Sequence, residues 1–223
     1  AQQLTFAGGW PPNSAPTAKL EEFAAALGEY SNGEVTAKVF PLSLLSFAEA
    51  NAGVRDGIAD ISYIVLGYTP GAVNEATIVE LPGSSPSALA GSLAATRMVE
   101  EGLWPGQGMA SVKILGAFST APAILTTVDK VETLDDVAGK KMRGAGPTML
   151  ATINAIGATP VGGITSPQLA ESLSRGLIDG TINEWVAMTI FGVAEVAKNH
   201  LDINLGASPL MVVMNKARYD SLP

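Results

Sequence analysis

Short strand-like runs alternate with segments of helical period from one end of this 223-residue chain to the other. That alternation confines it to the α/β class, with largely parallel sheets expected. Residues 4–7 read as a strand that ends in the loop Gly8-Gly9-Trp10-Pro11-Pro12. Leu20, Phe23, Ala24 and Leu27 recur at helical spacing, and Asn32-Gly33 closes that helix. Val35, Ala37 and Val39 alternate as a strand stopped by Pro41. A helix over 47–55, a strand over 61–65, a longer helix over 87–101 and strands over 111–118 and 123–127 follow.

The same grammar restarts at Thr133-Leu134-Asp135-Asp136, which reads as a capping box opening a helical turn. Strands are expected over 140–143, 159–161, 178–183, 201–205 and 210–214, and helices over 147–156, 167–175 and 185–198. The chain therefore divides into two α/β halves. An internal echo runs with that division. Ala48-Glu49 leads through a helix to Gly57-Ile58-Ala59-Asp60, and Ala170-Glu171 leads to Gly176-Leu177-Ile178-Asp179. In each, a glycine can end the helix in a left-handed conformation before an Ile-containing strand. The pattern is either a junction common to all α/β folds or the mark of two lobes with related topology.

Composition removes many functions. Hydrophobic residues make up 47% and charged ones 15%, which excludes intrinsic disorder. A net charge of −8 and a pI near 4.6 argue against nucleic acid or an anionic membrane surface as partner. With no cysteine, disulfides, thiol catalysis and zinc–thiolate sites are excluded, and with His200 as the only histidine no multi-histidine metal site can be built. No apolar run approaches the ~18 residues of a membrane span. The start at Ala1-Gln2-Gln3, without Met, is what cleavage of a signal peptide after a small residue would leave, or simply a trimmed chain. The absence of cysteine is compatible with a periplasmic location.

Few residues offer chemistry. Gly144-Ala145-Gly146-Pro147 follows a strand and opens a helix, as a dinucleotide loop does, but the third glycine of that motif would fall at Met149. What remains is Arg143 beside a glycine-rich helix N-terminus, where amides and helix dipole favour an anion and a guanidinium can grip a carboxylate with two hydrogen bonds. A solvated arginine at a strand end is the plainer alternative. His200 has no G-x-S-x-G serine to serve and is expected on the surface at a helix end. Glu49, Asp60, Glu171, Asp179 and Glu184 sit mostly at element ends, where capping and solvation account for them. Trp10, Tyr68 and Trp185 lie at loop edges. Trp10 and Trp185 fall at the carboxyl ends of expected strands, where open α/β sheets place ligands; packing within the core is the alternative.

Taken in order, several segments resemble the solute-binding proteins of TRAP (tripartite ATP-independent periplasmic) transporters over essentially the whole chain. They are Gly9-Trp10-Pro11-Pro12, Ser31-Asn32-Gly33-Glu34-Val35, Arg55-Asp56-Gly57-Ile58-Ala59-Asp60 and Glu80-Leu81-Pro82. The run Leu134-Asp135-Asp136-Val137-Ala138-Gly139-Lys140-Lys141-Met142-Arg143 follows, then Gly157-Ala158-Thr159-Pro160-Val161 and Leu173-Ser174-Arg175-Gly176-Leu177-Ile178-Asp179-Gly180. The resemblance implies a two-lobed periplasmic-binding-protein fold with a ligand cleft between the lobes. Lobe 1 would be residues 1–119 with 207–223 returning to it, and lobe 2 residues 120–206. It implies a monomeric periplasmic receptor, not an enzyme, that captures a small organic acid and delivers it to membrane permease subunits, without a cofactor or metal.

The family's carboxylate-binding arginine falls on Arg143 and its site asparagine on Asn183, with Trp10, Trp185, Tyr68 and Ile164 completing the expected site. Two departures stand out. Residues 118–124 hold no Lys or Arg where members for dicarboxylates often carry a second basic residue, which favours a monocarboxylate with an apolar or aromatic body. The chain also stops near Asn215–Pro223 where the family continues, so a C-terminal part is expected to be missing. The alternative is a doubly wound α/β enzyme that uses the Gly144–Gly146 turn to bind a phosphate or nucleotide.

Overall fold

A computed structural model describes residues 1–104 and 106–223. In chain order the elements are β1 (Gln2–Gly8), α1 (Ala15–Tyr30), β2 (Val35–Pro41), α2 (Ala50–Arg55), β3 (Ile61–Val65), α3 (Ala88–Glu100), β4 (Val112–Ser119) and β5 (Ile124–Thr127). They continue with β6 (Lys141–Arg143), α4 (Pro147–Ala155), β7 (Thr159–Val161), α5 (Leu169–Ser174), β8 (Gly180–Asn183), α6 (Trp185–Ile190), α7 (Val193–Val196), β9 (Asn199–Leu201), β10 (Pro209–Asn215) and α8 (Lys216–Asp220). Short 3-10 turns include Leu66–Tyr68, Asn74–Glu80, Leu134–Val137 and Ser166–Gln168. Among the described residues no helix is long and apolar enough to cross a membrane.

The strands form two five-stranded sheets, ordered β2-β1-β3-β10-β4 and β7-β6-β8-β5-β9. The first three strands of each repeat one plan: β1-α1-β2-α2-β3 gives the order 2-1-3, and β6-α4-β7-α5-β8 gives the same arrangement. The internal echo is part of that plan. Gly57 and Gly176 both take left-handed φ, at 78° and 68°, which glycine adopts without a Cβ penalty. Asp60 then accepts the Thr5 amide in the middle of β1, and Asp179 accepts the Lys141 amide at the start of β6, each at 2.7 Å. Each aspartate thus pins the neighbouring parallel strand.

Three expectations need correction. The sheets are not parallel throughout: β5 runs antiparallel to both β8 and β9. β5 enters between β8 and β9, neither of which precedes or follows it directly in the chain, so no β-α-β unit sets its direction. The expected helix over 185–198 is two helices, because Gly192 turns left-handed at φ 68°. The strand expected at 201–205 is β9, ending at Leu201, and it carries His200, which is half-buried in a strand rather than exposed at a helix end.

The chain packs into two compact units: Ala1–Val65 with Gly106–Ala117 and Met211–Pro223, and Leu66–Pro105 with Phe118–Leu210. By sheet membership the strands divide after β4 and return at β10; by packing, residues 66–105 go with the second unit. In the first unit Leu4, Phe6, Ile61 and Ile64 are buried. Trp10 is buried there too, its ring edge-to-face on Phe47 and Tyr63 at centroid distances of 5.3 and 5.9 Å.

In the second unit the alternation of side chains along each strand builds two apolar layers. Leu125, Met142 and Ile182 face a layer with Met149 and Ile153 of α4. Ile124 faces the other, with Leu169, Leu173 and Met188. Each fully buried Leu, Ile or Met contributes about 1.5–3 kcal/mol. Since Met142 and Ile182 face α4, their neighbours Arg143 and Asn183 face the opposite layer at the carboxyl ends of two parallel strands, Asn183 two residues beyond the position opposite Arg143.

Candidate ligand-binding site

Arg143 ends β6, opposite Val161 of β7 and Thr181 of β8. The strand stops because Gly144-Ala145-Gly146 turns sharply into α4, with Pro147 preset for the first helical position. Gly146 is required by close approach, and Gly144 is tightly packed. A Cβ on Gly144 would lie 3.1 Å from the Leu150 nitrogen, and one on Gly146 would lie 2.8 Å from the Gly67 Cα and carbonyl oxygen. The turn is therefore held against the Leu66–Tyr68 backbone, which brings Tyr68 to Arg143.

Arg143 is 1% exposed. Its Nε donates to the Ile164 carbonyl and its Nη2 to the Tyr68 phenolic oxygen, both at 2.7 Å. Its guanidinium carbon sits 5.7 Å from the Tyr68 ring centroid. Among the described residues no carboxylate forms an ion pair with it, and Nη1 makes no hydrogen bond. An unpaired buried charge costs several kcal/mol.

Around it lies a polar network that sequence inspection missed. The Ser166 amide donates to the Tyr68 oxygen at 3.0 Å, and the two hydroxyls are 3.1 Å apart. Asn183 Nδ2 donates to Ser166 Oγ at 3.3 Å, while Asn183 Oδ1 accepts the Glu184 amide at 3.0 Å. Thr165 and Gln168 form a capping box that fixes the turn carrying Ser166. That Thr-x-x-Gln signature was the available signal.

Of the expected site residues, Arg143, Tyr68, Asn183 and Ile164 meet in this network. Ile164 takes part through its carbonyl, and its side chain packs on the layer of Leu169 and Leu173. Tyr68, expected as a ring beside the ligand, is also bonded through its hydroxyl. Trp185 opens α6 and is 45% exposed; its ring rests on His200 at 4.7 Å. His200 Nδ1 lies 3.0 Å from Thr126 Oγ1, and burial lowers its pKa. Trp10 belongs to the first unit, packed as described.

The carboxylate beside the network is taken up structurally. Glu184 caps α6, accepting the Val186 and Ala187 amides at 2.6 and 2.8 Å. Its burial raises the pKa, opposed by those two bonds. Glu80 is a second buried carboxyl. It borders a cavity of about 110 Å³ with Gly67 and Pro147, and burial raises its pKa against a hydrogen bond with Thr148. Among the described residues its Oε1 has no hydrogen-bond partner, and no cluster of three or more metal-ligating side chains occurs.

The sequence model of the bacterial extracellular solute-binding proteins, family 7, matches residues 6–223. The chain belongs to that family of extracellular solute-binding proteins, which act outside the cytoplasm. A curated solute-binding protein of Albidiferax ferrireducens is 26% identical over 210 residues, covering 92% of this chain and 61% of the relative. The chain thus spans about three-fifths of that relative's length. A marine metagenome TRAP solute-binding protein specific for aromatic acid ligands, solved with 3-hydroxybenzoate, is 31% identical. It matches 99% of this chain and 71% of its own, with a TM-score of 0.91. A TRAP solute-binding protein from Rhodoferax ferrireducens, solved with copurified benzoate, is 26% identical over 100% of this chain and 71% of its own, with a TM-score of 0.90. The phosphate-binding enzyme reading of the Gly144–Gly146 turn finds no support: Gly146 serves a close approach to Gly67.

Proposed function

We propose that this chain serves as the receptor of a TRAP transporter for a small monocarboxylate with an aromatic or apolar body, which it carries as a monomer to the membrane permease subunits. One observation carries the reading above all others: Arg143 is a buried cation without a carboxylate partner among the described residues. A ligand carboxylate supplies the missing charge, and the free Nη1 edge offers it charge-assisted hydrogen bonds. Asn183 closes the polar end of the site through Ser166. Tyr68, Trp185 and Trp10 are the rings assigned to the ligand body, with Ile164 orienting Arg143. Relatives that bind 3-hydroxybenzoate and benzoate favour an aromatic acid. The functional lobes are residues 1–119 with 207–223 and residues 120–206, a boundary supported by the division of strands between the sheets.

A thermal-shift screen of carboxylic acids tests the reading. An acid at ~100 times its dissociation constant adds ~2.7 kcal/mol of stability, and benzoates should raise the transition. A transition that responds to nucleotides or inorganic phosphate but to no carboxylic acid would refute it.

A further inference from the structure

We infer that His200 is a positioning residue for ligand binding, one that holds the Trp185 ring in place for the aromatic body of the acid. The inference rests on the proposed reading of Trp185 as a ring beside the ligand.

Alternation along β5 and β9 aims the side chains concerned. Leu125 and Leu201 lie opposite each other on the two strands and join the α4 layer. The next pair, Thr126 and His200, therefore points to the other face of the sheet, where Met188 of α6 is buried. Thr126 is fully buried. Its Oγ1 lies 3.0 Å from His200 Nδ1 and 3.1 Å from Met188 Sδ. The imidazole is thus fastened twice, by the pairing of β9 with β5 and by a buried hydroxyl.

Trp185 stands three residues before Met188, hence on the same side of α6. Its backbone is set by the Glu184 cap, two residues beyond Asn183. Its ring has less support. Trp185 is exposed and belongs to neither apolar layer of its unit, and among the described residues His200 is the only ring it touches, at 4.7 Å. The sheet fixes the imidazole, and the imidazole fixes the indole. An exposed indole without that support would sample several rotamers, and binding would have to order it. Neither β5 nor α6 carries an ionisable side chain, and burial lowers the pKa of His200, so the supporting ring is neutral at pH 7 and above.

Calorimetric titration with benzoate tests this on the wild type, Trp185→Ala, His200→Asn, His200→Phe and the double variant Trp185→Ala/His200→Asn. Asparagine keeps a polar group for Thr126 but no ring, and phenylalanine keeps a ring. Trp185→Ala should weaken binding. His200→Asn should weaken it about two- to tenfold, the cost of ordering one free side chain, and His200→Phe should bind as the wild type does. The double variant should bind no more weakly than Trp185→Ala, because without the indole nothing is left to position. Should His200→Asn not fold, Thr126→Val, which removes the bond to the imidazole, takes its place in the comparison with the same outcomes. Wild-type affinity in His200→Asn, equal losses in His200→Asn and His200→Phe, or the same loss whether or not Trp185 is present would overturn the inference and leave Trp185 and Arg143 in their roles. Full affinity in Trp185→Ala would overturn it together with the assignment of that ring to the ligand. A wild type without affinity for benzoate would overturn both.

Discussion

Nη2 of Arg143 donates to the phenolic oxygen of Tyr68 at 2.7 Å, so the one aromatic hydroxyl in the network also fixes the buried cation. Tyr68→Phe keeps the ring beneath the guanidinium but strips an acceptor from Arg143 and from the Ser166 amide. We expect a stability loss of about 1–3 kcal/mol in chemical unfolding without ligand, together with weaker benzoate binding. Unchanged unfolding and binding would show that water replaces the phenol at no cost.

Glu80 sets a pH dependence. Burial raises its folded-state pKa, so the folded chain holds that proton more tightly than the unfolded chain. The associated stability is full below the ordinary glutamate value of ~4.3 and is lost as pH rises through the raised value. Glu80→Gln, neutral at every pH, should match wild type near pH 4 and be more stable at pH 7–8 in urea unfolding. A variant less stable than wild type at pH 8 would reveal a partner for the ionised carboxylate.

Glycine positions divide sharply by what a methyl group would meet. Gly146→Ala places a Cβ 2.8 Å from the Gly67 backbone and should lose about 1–3 kcal/mol, with weaker acid binding because the turn carries Arg143. Gly28, inside α1 with nothing within 4 Å of its added Cβ, should gain about 0.5–1 kcal/mol as alanine. Both shifts are read from denaturant midpoints; the reverse order would contradict the packing described.

Ligand charge is the next discriminator. Residues 118–124 hold no Lys or Arg, and a second buried carboxylate without a cation would cost several kcal/mol. Competition calorimetry should rank benzoate and phenylacetate well above succinate and malate. Tighter binding of the diacids would mean that amides or water hold the second carboxylate.

Much of the fold was legible because its signals are local. Alternation, helical spacing, the Thr133 box and the Gly57 and Gly176 helix ends depend on near neighbours, and the repeated Asp60 and Asp179 junctions follow from them. The direction of β5 was not legible, since it is set by pairing with β8 and β9, which lie more than fifty positions further along the chain. Nor was the break at Gly192, where one left-handed glycine interrupts an otherwise helical pattern. At the site, Arg143 was readable as a strand-ending residue beside a glycine turn, and Asn183 only through the family resemblance. Ser166 was not, because its role comes from Tyr68, 98 positions away in sequence, and from an amide orientation set by Glu184.

Binding of benzoate by Arg143→Ala and Arg143→Lys, measured by calorimetry beside their unliganded unfolding, tests the central claim most directly. Removing a buried charged hydrogen-bonding partner should cost at least ~2–5 kcal/mol of binding. Lysine should fail substantially, because a point charge cannot reproduce the guanidinium fork or its bonds to Ile164 and Tyr68. Loss of binding in both variants, with the cooperative unfolding transition retained, is the predicted result. Near-native affinity in either variant would contradict the account.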